Sequence, residues 1–534
     1  MAVLYTEFYN NTGAGQGNIP VNQDIFHYIQ QAPDGDFSKI LAADNRWQVF
    51  YHLSSMRTSV LNWYEFQEGA SLLEIGGEFG ALTGLFCDRC QKVVTVEYGL
   101  YKAQAIQERY KNRDNLEIYA GVAEEMRFDA SFDYIVMIGC MERQCGGSRE
   151  PGVYVSYLNN IKRFLKPGGK ILLAVENRYG LRYFCGEKEA YTKLPFGGIN
   201  PYLGQGKGYT FGKEELKGIL SVAGLNEQKF YYPLPDYKLT QMVYTDEYLP
   251  QKDLGERLLF YHTDSSTMVT AEQWLYRDII DNGVFPFFAN SFLVECSTEG
   301  EMGNTIFAAV TTDRGRKHGL ATTIHHFPKE KGQKLVNKRA LYAEGEGSIW
   351  KVYENMMALK ERGVPIVPHE WKGGTISMPF VPGPTCSDYL RKLAAIGDRE
   401  QFEFIFEQIY KNILLSSEAV SSEKNALLQY CQSDAERLPS IDFGIILKRC
   451  YIDMVPFNCF FIDGKLYYFD QEFVRENYPA LYSMYRALMY TYAFTPEAEK
   501  LVPLEQMKLR YGLVSLWNIF REEEDRFVAD NRQY

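Results

Sequence analysis

The feature that most constrains the fold of this chain is a strand, a glycine turn, a helix and a second strand within residues 71–97. SLLEIGGEFG reads as an apolar strand entering a glycine-rich turn, ALTGLFCDRC has helical character, and KVVTVEYG reads as a strand with an acid at its end. Alternation of this kind predicts one half of a doubly wound, Rossmann-like α/β sheet.

The glycine turn and the acid suit a ligand that carries a ribose. Gly76, Gly77 and Gly80 allow close approach of the backbone at the carboxyl edge of the sheet, where the next helix presents free N–H groups. Glu97 ends the second strand, so its carboxylate can accept hydrogen bonds from both ribose hydroxyls. Glycine is common in such turns for steric reasons alone, and it is the spaced acid that favours a nucleoside or nucleotide ligand.

Two later segments distinguish a methyl donor from a dinucleotide. FDYIVMIGCMER (132–143) is an apolar strand led by Asp133, and LKPGGKILLAVENR (165–178) is a helix end, a Pro-Gly-Gly turn and a strand. This order resembles the class I S-adenosylmethionine (SAM)-dependent methyltransferases, and the resemblance covers about 70–245.

The resemblance implies a SAM site with two departures from the family pattern. Glu78 stands where a middle Gly is common, and Val122 stands where an acid often contacts the adenine amino group. Adenine is therefore expected to be held mainly by apolar packing and backbone atoms. The residues implied to line the methionine and ribose side of SAM are Glu74, Gly76 and Gly80, with Glu97 on the ribose diol.

The acceptor side is expected in ENRYGLRYFCGE (176–187), which also resembles methyltransferases from bacterial surface-polysaccharide clusters. Arg178, Tyr179 and Arg182 could hold an anionic acceptor, since a guanidinium fork matches phosphate oxygens. A purely structural role, as caps on the sheet edge, is an equally weighted alternative.

A second domain is expected after a linker at 251–285. The strand patterns TIFAAVT, LATTIHH and KLVNK follow one another with turn residues between them. The basic connection TDRGRKHG (312–319) suits a loop folded over a triphosphate, although hairpins use glycine in any case. Lys338 ends the third strand, and Glu354 or Glu346 on the next helix could keep its ammonium aimed at phosphates.

The strongest motif of this half lies in YIDMVPFNCFFIDGKLYYFDQEF (451–473). It combines Asp453, Asn458 and Asp470, with an Asp-Gly hairpin turn between the last two. In phosphoryl transfer an Asp base accepts the proton of the substrate hydroxyl, while an Asn and a second Asp hold the Mg²⁺ that bridges the nucleotide phosphates. The spacing therefore assigns the base to Asp453 and the metal to Asn458 and Asp470.

These features resemble the protein-kinase-like superfamily, nearer its small-molecule and sugar kinases, over about 290–495. The resemblance implies an α+β two-lobed domain with ATP and Mg²⁺ as cofactors, in which Lys338 and Glu354 help to hold the nucleotide. Tyr451 stands where the catalytic loop often has His, and a Gln-Glu pair replaces the Phe-Gly that follows the metal Asp. These departures argue against activation-loop control and leave an inactive, pseudokinase module open.

The two halves together resemble the bifunctional enzymes that terminate bacterial O-antigen chains by phosphorylating the terminal sugar and then methylating the phosphate. Phosphorylation creates an oxyanion that can attack the sulfonium methyl without a strong base, so positioning does most of the work. The expected acceptor is a glycan or glycolipid. An O-methyltransferase of a sugar or other hydroxyl with an inert second domain is the alternative, and a scaffold in a glycan-assembly complex is a third interpretation.

Charge and hydropathy narrow the partners of this 534-residue chain. Its formal charge of −11 argues against nucleic acid as the main partner. No apolar run approaches the ~20 residues of a spanning helix, so a cytoplasmic location is expected, with docking at the inner membrane face or to a glycan-assembly complex left open.

Trp517 and Phe520 are expected to pack back on the kinase-like lobe. The expected organisation is an N-terminal helical extension (1–65), a methyltransferase domain (66–250), a linker (251–285), a kinase-like domain (286–500) and a C-terminal helical tail (501–534).

Overall fold

The computed structural model describes residues 1–10, 19–128, 131–200, 207–311, 314–430 and 441–532. The chain forms two compact units. The first unit contains Met1–Asp313 and Thr323–Lys329, and the second contains Arg314–Thr322 and Glu330–Gln533.

The first unit is an α/β unit built on one large sheet. Its strands are β1 (Val3–Tyr5), β2 (Ser71–Ile75), β3 (Lys92–Glu97), β4 (Leu116–Ala120), β5 (Phe132–Ile138), β6 (Leu165–Glu176), β7 (Glu227–Leu234), β8 (Met242–Thr245), β9 (Ser291–Ser297) and β10 (Thr305–Val310). Its helices are α1 (Pro20–Gln31), α2 (Ser38–Ala43), α3 (Trp47–Leu53), α4 (Thr83–Arg89), α5 (Leu100–Arg109), α6 (Met141–Gln144), α7 (Pro151–Lys162), α8 (Leu181–Phe184), α9 (Lys213–Val222), α10 (Leu254–Arg257), α11 (Tyr276–Asp281) and α12 (Phe285–Phe288).

The sheet of the first unit has a parallel half and an antiparallel half. In the order β1-β4-β3-β2-β5-β6 every neighbouring pair is parallel. The order then continues β9-β7-β8-β10 with antiparallel pairs. The parallel half confirms the expected doubly wound arrangement, and its carboxyl edge is where such sheets bind ligands.

Apolar residues on both faces account for the formation of the central strands of the parallel half. In β3 the side chains of Val93, Val94 and Val96 are all buried, as expected for a parallel strand covered by helices on both faces. The N-terminal segment, expected as a helical extension, also adds β1 to the sheet edge through parallel pairing with β4.

The boundary between the two units differs from the one expected from the sequence. The expected linker at 251–285 and the strands β9 and β10 all belong to the first unit. The physical reason is strand pairing: β9 is hydrogen-bonded to β6 and β7, and β10 pairs with β8. The first unit therefore extends to Asp313 instead of ending near residue 250.

The second unit is an α+β unit. Its strands are β11 (Leu320–Phe327, of which residues 320–322 belong to this unit), β12 (Gln333–Ala340), β13 (Glu370–Lys372), β14 (Thr375–Pro379), β15 (Ala419–Val420), β16 (Ile446–Tyr451), β17 (Cys459–Ile462), β18 (Lys465–Tyr468) and β19 (Val474–Pro479). Its helices are α13 (Glu346–Glu361), α14 (Cys386–Ile396), α15 (Arg399–Leu415), α16 (Leu427–Tyr430), α17 (Ala480–Phe494), α18 (Ala498–Leu501), α19 (Leu504–Arg510) and α20 (Trp517–Asn531).

Antiparallel strand pairs and one parallel bridge, between Ile366 and Tyr468, are found in the second unit. Strand β14 pairs with β12 and β13, β16 pairs with β15 and β19, and β17 forms a hairpin with β18. The hairpin turns at Asp463 and Gly464, both with positive φ, as the Asp-Gly sequence predicts. Among the described residues, no helix is long and apolar enough to span a bilayer.

Candidate functional site

The turn between β2 and α4 needs glycine at two positions. Gly76 has φ +79° and Gly80 has φ +76°, a region that residues with a Cβ rarely adopt. A Cβ on Gly76 would also lie 3.0 Å from Cβ of Cys140, two residues after the end of β5. The turn and the β5 end therefore meet closely at the carboxyl edge of the sheet.

Glu97 is buried at the end of β3 and faces this turn. Its Oε2 accepts the backbone N–H of Glu78 at 2.8 Å, and its Oε1 accepts the N–H of Gly99 at 3.1 Å. Burial raises the pKa of Glu97, and the positive charge of Lys102 opposes that rise. The structure thus brings the acid and the glycine turn together as the sequence predicts.

Glu78, the departure from the glycine pattern, organises charges beside the turn. It has φ +50°, and its carboxylate lies 3.4 Å from Nε2 of His52, 3.6 Å from Nζ of Lys102 and 3.5 Å from Nη1 of Arg143. Burial alone would raise the pKa of Glu78, but the positive charges of Lys102 and Arg143 help to lower it. The sequence showed Glu78 as an exception and gave no signal for its partners.

Glu74 is buried in β2. Its Oε2 accepts hydrogen bonds from the hydroxyls of Thr83 at 2.6 Å and Thr95 at 2.8 Å. Burial raises the pKa of Glu74 to about 7, against the effect of both hydroxyls. Glu74 lies directly beneath the glycine turn, since a Cβ on Gly77 would come within 3.2 Å of its Oε2.

The two arginines of the expected acceptor segment are already paired inside the first unit. Arg182 is buried and lies 2.8 Å from Asp236, and Arg178 lies 2.7 Å from Glu215. Tyr179 stacks on Phe287 with ring centroids 4.9 Å apart. Each guanidinium therefore already faces a carboxylate of its own chain. Anion binding by Arg178 and Arg182 stays a prediction.

Glu142, in α6 just after β5, is a residue that the sequence analysis did not single out. It is fully buried, and its Oε1 accepts the backbone N–H of Glu176 at 2.9 Å. Its Oε2 has no hydrogen-bond partner among the residues that the structure describes. Burial raises the pKa of Glu142 to about 7. The signal for Glu142 in the sequence was the position of this acid, two residues after Cys140 and close to the end of an apolar strand.

In the second unit the three motif residues lie together. Nδ2 of Asn458 donates to the backbone oxygen of Asp453 at 3.2 Å and to that of Asp470 at 3.4 Å. Nε2 of Gln471 also donates to the oxygen of Asp453, at 2.9 Å. These hydrogen bonds therefore hold the segment that follows β16 against the segment that follows β18.

Lys338, on β12, contacts the segment that follows β18. Its Nζ forms ion pairs with Asp470 and, at 2.5 Å, with Glu472. Burial alone would lower the pKa of Lys338, but the two carboxylates outweigh burial and raise it. The expected helix partners do not make this contact: Glu354 and Glu346 are exposed on α13.

Asp453 is buried with both carboxylate oxygens engaged. Its Oδ1 accepts from Nη1 of Arg486 at 2.9 Å, and its Oδ2 accepts the N–H of Phe473 at 2.8 Å. Burial raises the pKa of Asp453, and the charge of Arg486 opposes that rise.

The donor chemistry near Asp470 suits a hard divalent cation, since carboxylate and amide oxygens are the ligands that Mg²⁺ prefers. Asp470 and Asn458 offer one of each. No group of three or more His, Cys, Asp or Glu residues that could hold a metal ion is found in the described parts of the chain.

One known family resembles most of the parallel half of the first unit. Residues 73–173 match the family described as a methyltransferase domain. The matched range starts in β2 and ends in β6, and it includes the glycine turn and Glu97. The match supports a class I SAM-dependent methyltransferase with SAM as its cofactor. No curated protein matches the chain.

Solved structures that resemble the chain include several methyltransferases. N-methyltransferase NodS from Bradyrhizobium japonicum WM9 is 18% identical over 23% of this chain and 67% of its own, with a TM-score of 0.21. A chain from the complex of the Haloferax volcanii Trm112 methyltransferase activator with a methyltransferase is 16% identical over 50% and 99%, with a TM-score of 0.31. Phosphoethanolamine N-methyltransferase 1 from Haemonchus contortus is 16% identical over 42% and 47%, with a TM-score of 0.27. Likenesses of this size carry no argument about substrate.

Proposed function

We propose that the chain is a two-site transferase. The first unit transfers the methyl group of SAM to an oxygen atom of an acceptor, and the second unit transfers a phosphoryl group from Mg-ATP. The methyl-transfer half is supported by the family match over residues 73–173. The phosphoryl-transfer half is carried by one observation, the meeting of Lys338, Asp470 and Asn458 beside Asp453.

In the first unit the protein's own groups bind and orient the donor. SAM supplies an electrophilic methyl group on its sulfonium. Glu97, held by the N–H groups of Glu78 and Gly99, keeps a fixed carboxylate where ribose hydroxyls would be bound. The glycines of the turn let the backbone approach the ligand closely.

In the second unit ATP would supply the phosphoryl group, and Mg²⁺ would offset the negative charge of its phosphates. Asp470 and Asn458 would hold the metal, and Lys338 would bind phosphate oxygens. Asp453 would accept the proton of the acceptor hydroxyl, and the Phe473 N–H fixes the orientation of its carboxylate.

The proposed order of events is phosphorylation followed by methylation at the terminus of a bacterial surface glycan. A phosphate oxyanion is already a nucleophile, so methyl transfer to it requires alignment more than deprotonation. The acceptor class rests on the resemblance of the two halves, taken together, to O-antigen chain-terminating enzymes.

A second candidate is direct methylation of a sugar hydroxyl, with the second unit as a binding module. Two observations favour it: Arg182 is balanced by Asp236, and Glu142 has a buried carboxylate oxygen that no described residue hydrogen-bonds. A hydroxyl acceptor would need a proton acceptor of this kind.

Mass spectrometry of glycan acceptors incubated with ATP alone, SAM alone, or both distinguishes the two candidates. We expect a gain of phosphate with ATP, and a methyl gain only when both are present. Asp453→Ala should abolish both gains, whereas Asp463→Asn, in the exposed hairpin turn, should abolish neither. Methylation with SAM alone would favour the second candidate.

A further inference from the structure

The second unit contains a carboxylate that holds two cations at once. Glu472 follows Asp470 by two residues. Its Oε1 contacts Nζ of Lys338 at 2.5 Å, and its Oε2 accepts a hydrogen bond from Nη1 of Arg314 at 2.7 Å. Each oxygen therefore serves a different cation.

Arg314 belongs to the basic loop that precedes β11. Its guanidinium lies 5.3 Å from the ring centre of Phe473, next to Glu472 in the chain. The Arg314 side chain is 31% exposed, whereas that of Lys338 is 6% exposed. Glu472 thus ties an accessible loop cation to the buried lysine.

Both cations keep donor capacity for another anion. An ammonium has three N–H donors, and Asp470 and Glu472 engage two of those on Lys338. A guanidinium has five donors in a fork that matches phosphate oxygens, and the contact with Glu472 uses one of those on Arg314. An anion placed beside Asp470 could therefore be bound by both cations without breaking either ion pair.

Helix α13 does not supply the carboxylate in this arrangement. Glu354 is exposed, and the next residue, Asn355, is buried and donates to the backbone oxygen of Gln471 at 2.9 Å. The helix thus fixes the backbone beside Glu472 and leaves the ion pair with Lys338 to Glu472 itself.

We propose that Arg314 is a phosphate-binding residue of the nucleotide site and that Glu472 is the positioning residue that aims Arg314 and Lys338 at the triphosphate. This inference rests on the proposed phosphoryl-transfer function. In the sequence, the Gln-Glu pair after Asp470 is only a departure from the kinase pattern. The proposal gives Glu472 of that pair a role in nucleotide binding.

Calorimetric titration of the full chain in saturating SAM, separately with Mg-ATP and with adenosine, tests the proposal. Glu472→Gln and Arg314→Ala should each weaken Mg-ATP binding at least ten-fold and leave adenosine binding unchanged, because they act on the phosphates. The matched controls are Glu354→Gln, the exposed helix acid, and Arg316→Ala, whose loop cation pairs with Glu344 instead. Both controls should stay within two-fold of the unmodified chain.

The outcomes separate the inference from the function on which it rests. If the unmodified chain binds Mg-ATP and the two test variants match their controls, the inference is overturned and the phosphoryl-transfer site stands. If adenosine binding weakens as much as Mg-ATP binding, Glu472 is structural and the inference is again overturned. If the unmodified chain binds no Mg-ATP, both fall. Arg314→Ala changes a partly exposed side chain, so it keeps the test valid if Glu472→Gln does not fold.

Discussion

At the residue scale, backbone geometry and burial constrain two residues near the carboxyl edge of the parallel strands, Gly76 and Glu142. Gly76 combines a positive φ with close contact to Cys140, so a side chain there meets both strain and a steric clash. Glu142 combines complete burial with an oxygen that has no partner in the described residues. Each property leads to a separate measurement.

Gly76→Ala should destabilise the first unit more than Gly35→Ala. Gly35 has φ +77° but nothing within 4 Å of an added Cβ, so it reports the cost of strain alone. We expect about 1 kcal/mol at Gly35 and about 2–3 kcal/mol at Gly76, where Cys140 must also move. Thermal unfolding of both variants checks this. Equal losses would show that the contact with Cys140 has no energetic consequence.

Glu142 should make the stability of the first unit depend on pH. Its pKa of about 7 in the folded protein lies above the ordinary value of 4.5. Between these values the folded protein binds more protons than the unfolded chain, so the free energy of unfolding falls as pH rises from about 4.5 to about 7. The fall attributable to Glu142 is on the order of 3 kcal/mol.

Glu142→Gln should remove this fall and give a higher melting temperature than the unmodified chain at pH 8. Melting curves between pH 5 and pH 8 measure the effect, with Glu150→Gln on the exposed surface as the control. The same pH slope in Glu142→Gln and Glu150→Gln would mean that Glu142 is not the group that titrates.

At the element scale, the C-terminal helix α20 is built into the second unit. Glu524 of α20 is buried, and its Oε2 accepts from Nε of Arg486 at 2.9 Å and from the hydroxyl of Tyr482 at 2.8 Å. Arg486 also holds Asp453. The buried Phe520 packs against Tyr482 of α17. Arg486 thus links the C-terminal helix to the candidate base, Asp453. The helix also packs on the rest of the second unit, as the sequence predicts.

Glu524→Gln should destabilise the second unit by about 2–4 kcal/mol, because it leaves the buried charge of Arg486 with one carboxylate fewer. Calorimetric melting of the full chain measures the loss. Asp525→Asn, one residue further on the exposed face of α20, should change the melting temperature little. A melting temperature for Glu524→Gln as high as that of Asp525→Asn would contradict the linkage.

At the scale of the whole molecule, local patterns predicted local structure well. The apolar runs and glycine turn of 71–97 gave β2, α4 and β3, and the Asp-Gly pair gave the β17–β18 turn. These features depend on neighbours in sequence, which is why composition and spacing suffice. The spaced acid Glu97 was likewise found at the turn because a parallel strand ends at a fixed edge.

Long-range pairing could not be predicted in the same way. Strand β9 joins the first unit by inserting between β6 and β7, far from both in sequence, and nothing in its own residues specifies those partners. The partner of Lys338 is another case. A helix acid and an acid after β18 were both available, and only the tertiary fold, which places the segment after β18 beside β12, brings Glu472 to the lysine.

The central claim is that one polypeptide carries a SAM site and a separate Mg-ATP site, and titrating the same protein with each ligand tests it most directly. We predict one equivalent of each, with Glu97→Ala losing SAM alone and Asp470→Asn losing Mg-ATP alone. Failure of the unmodified chain to bind either ligand, or loss of both through one substitution, would contradict the account.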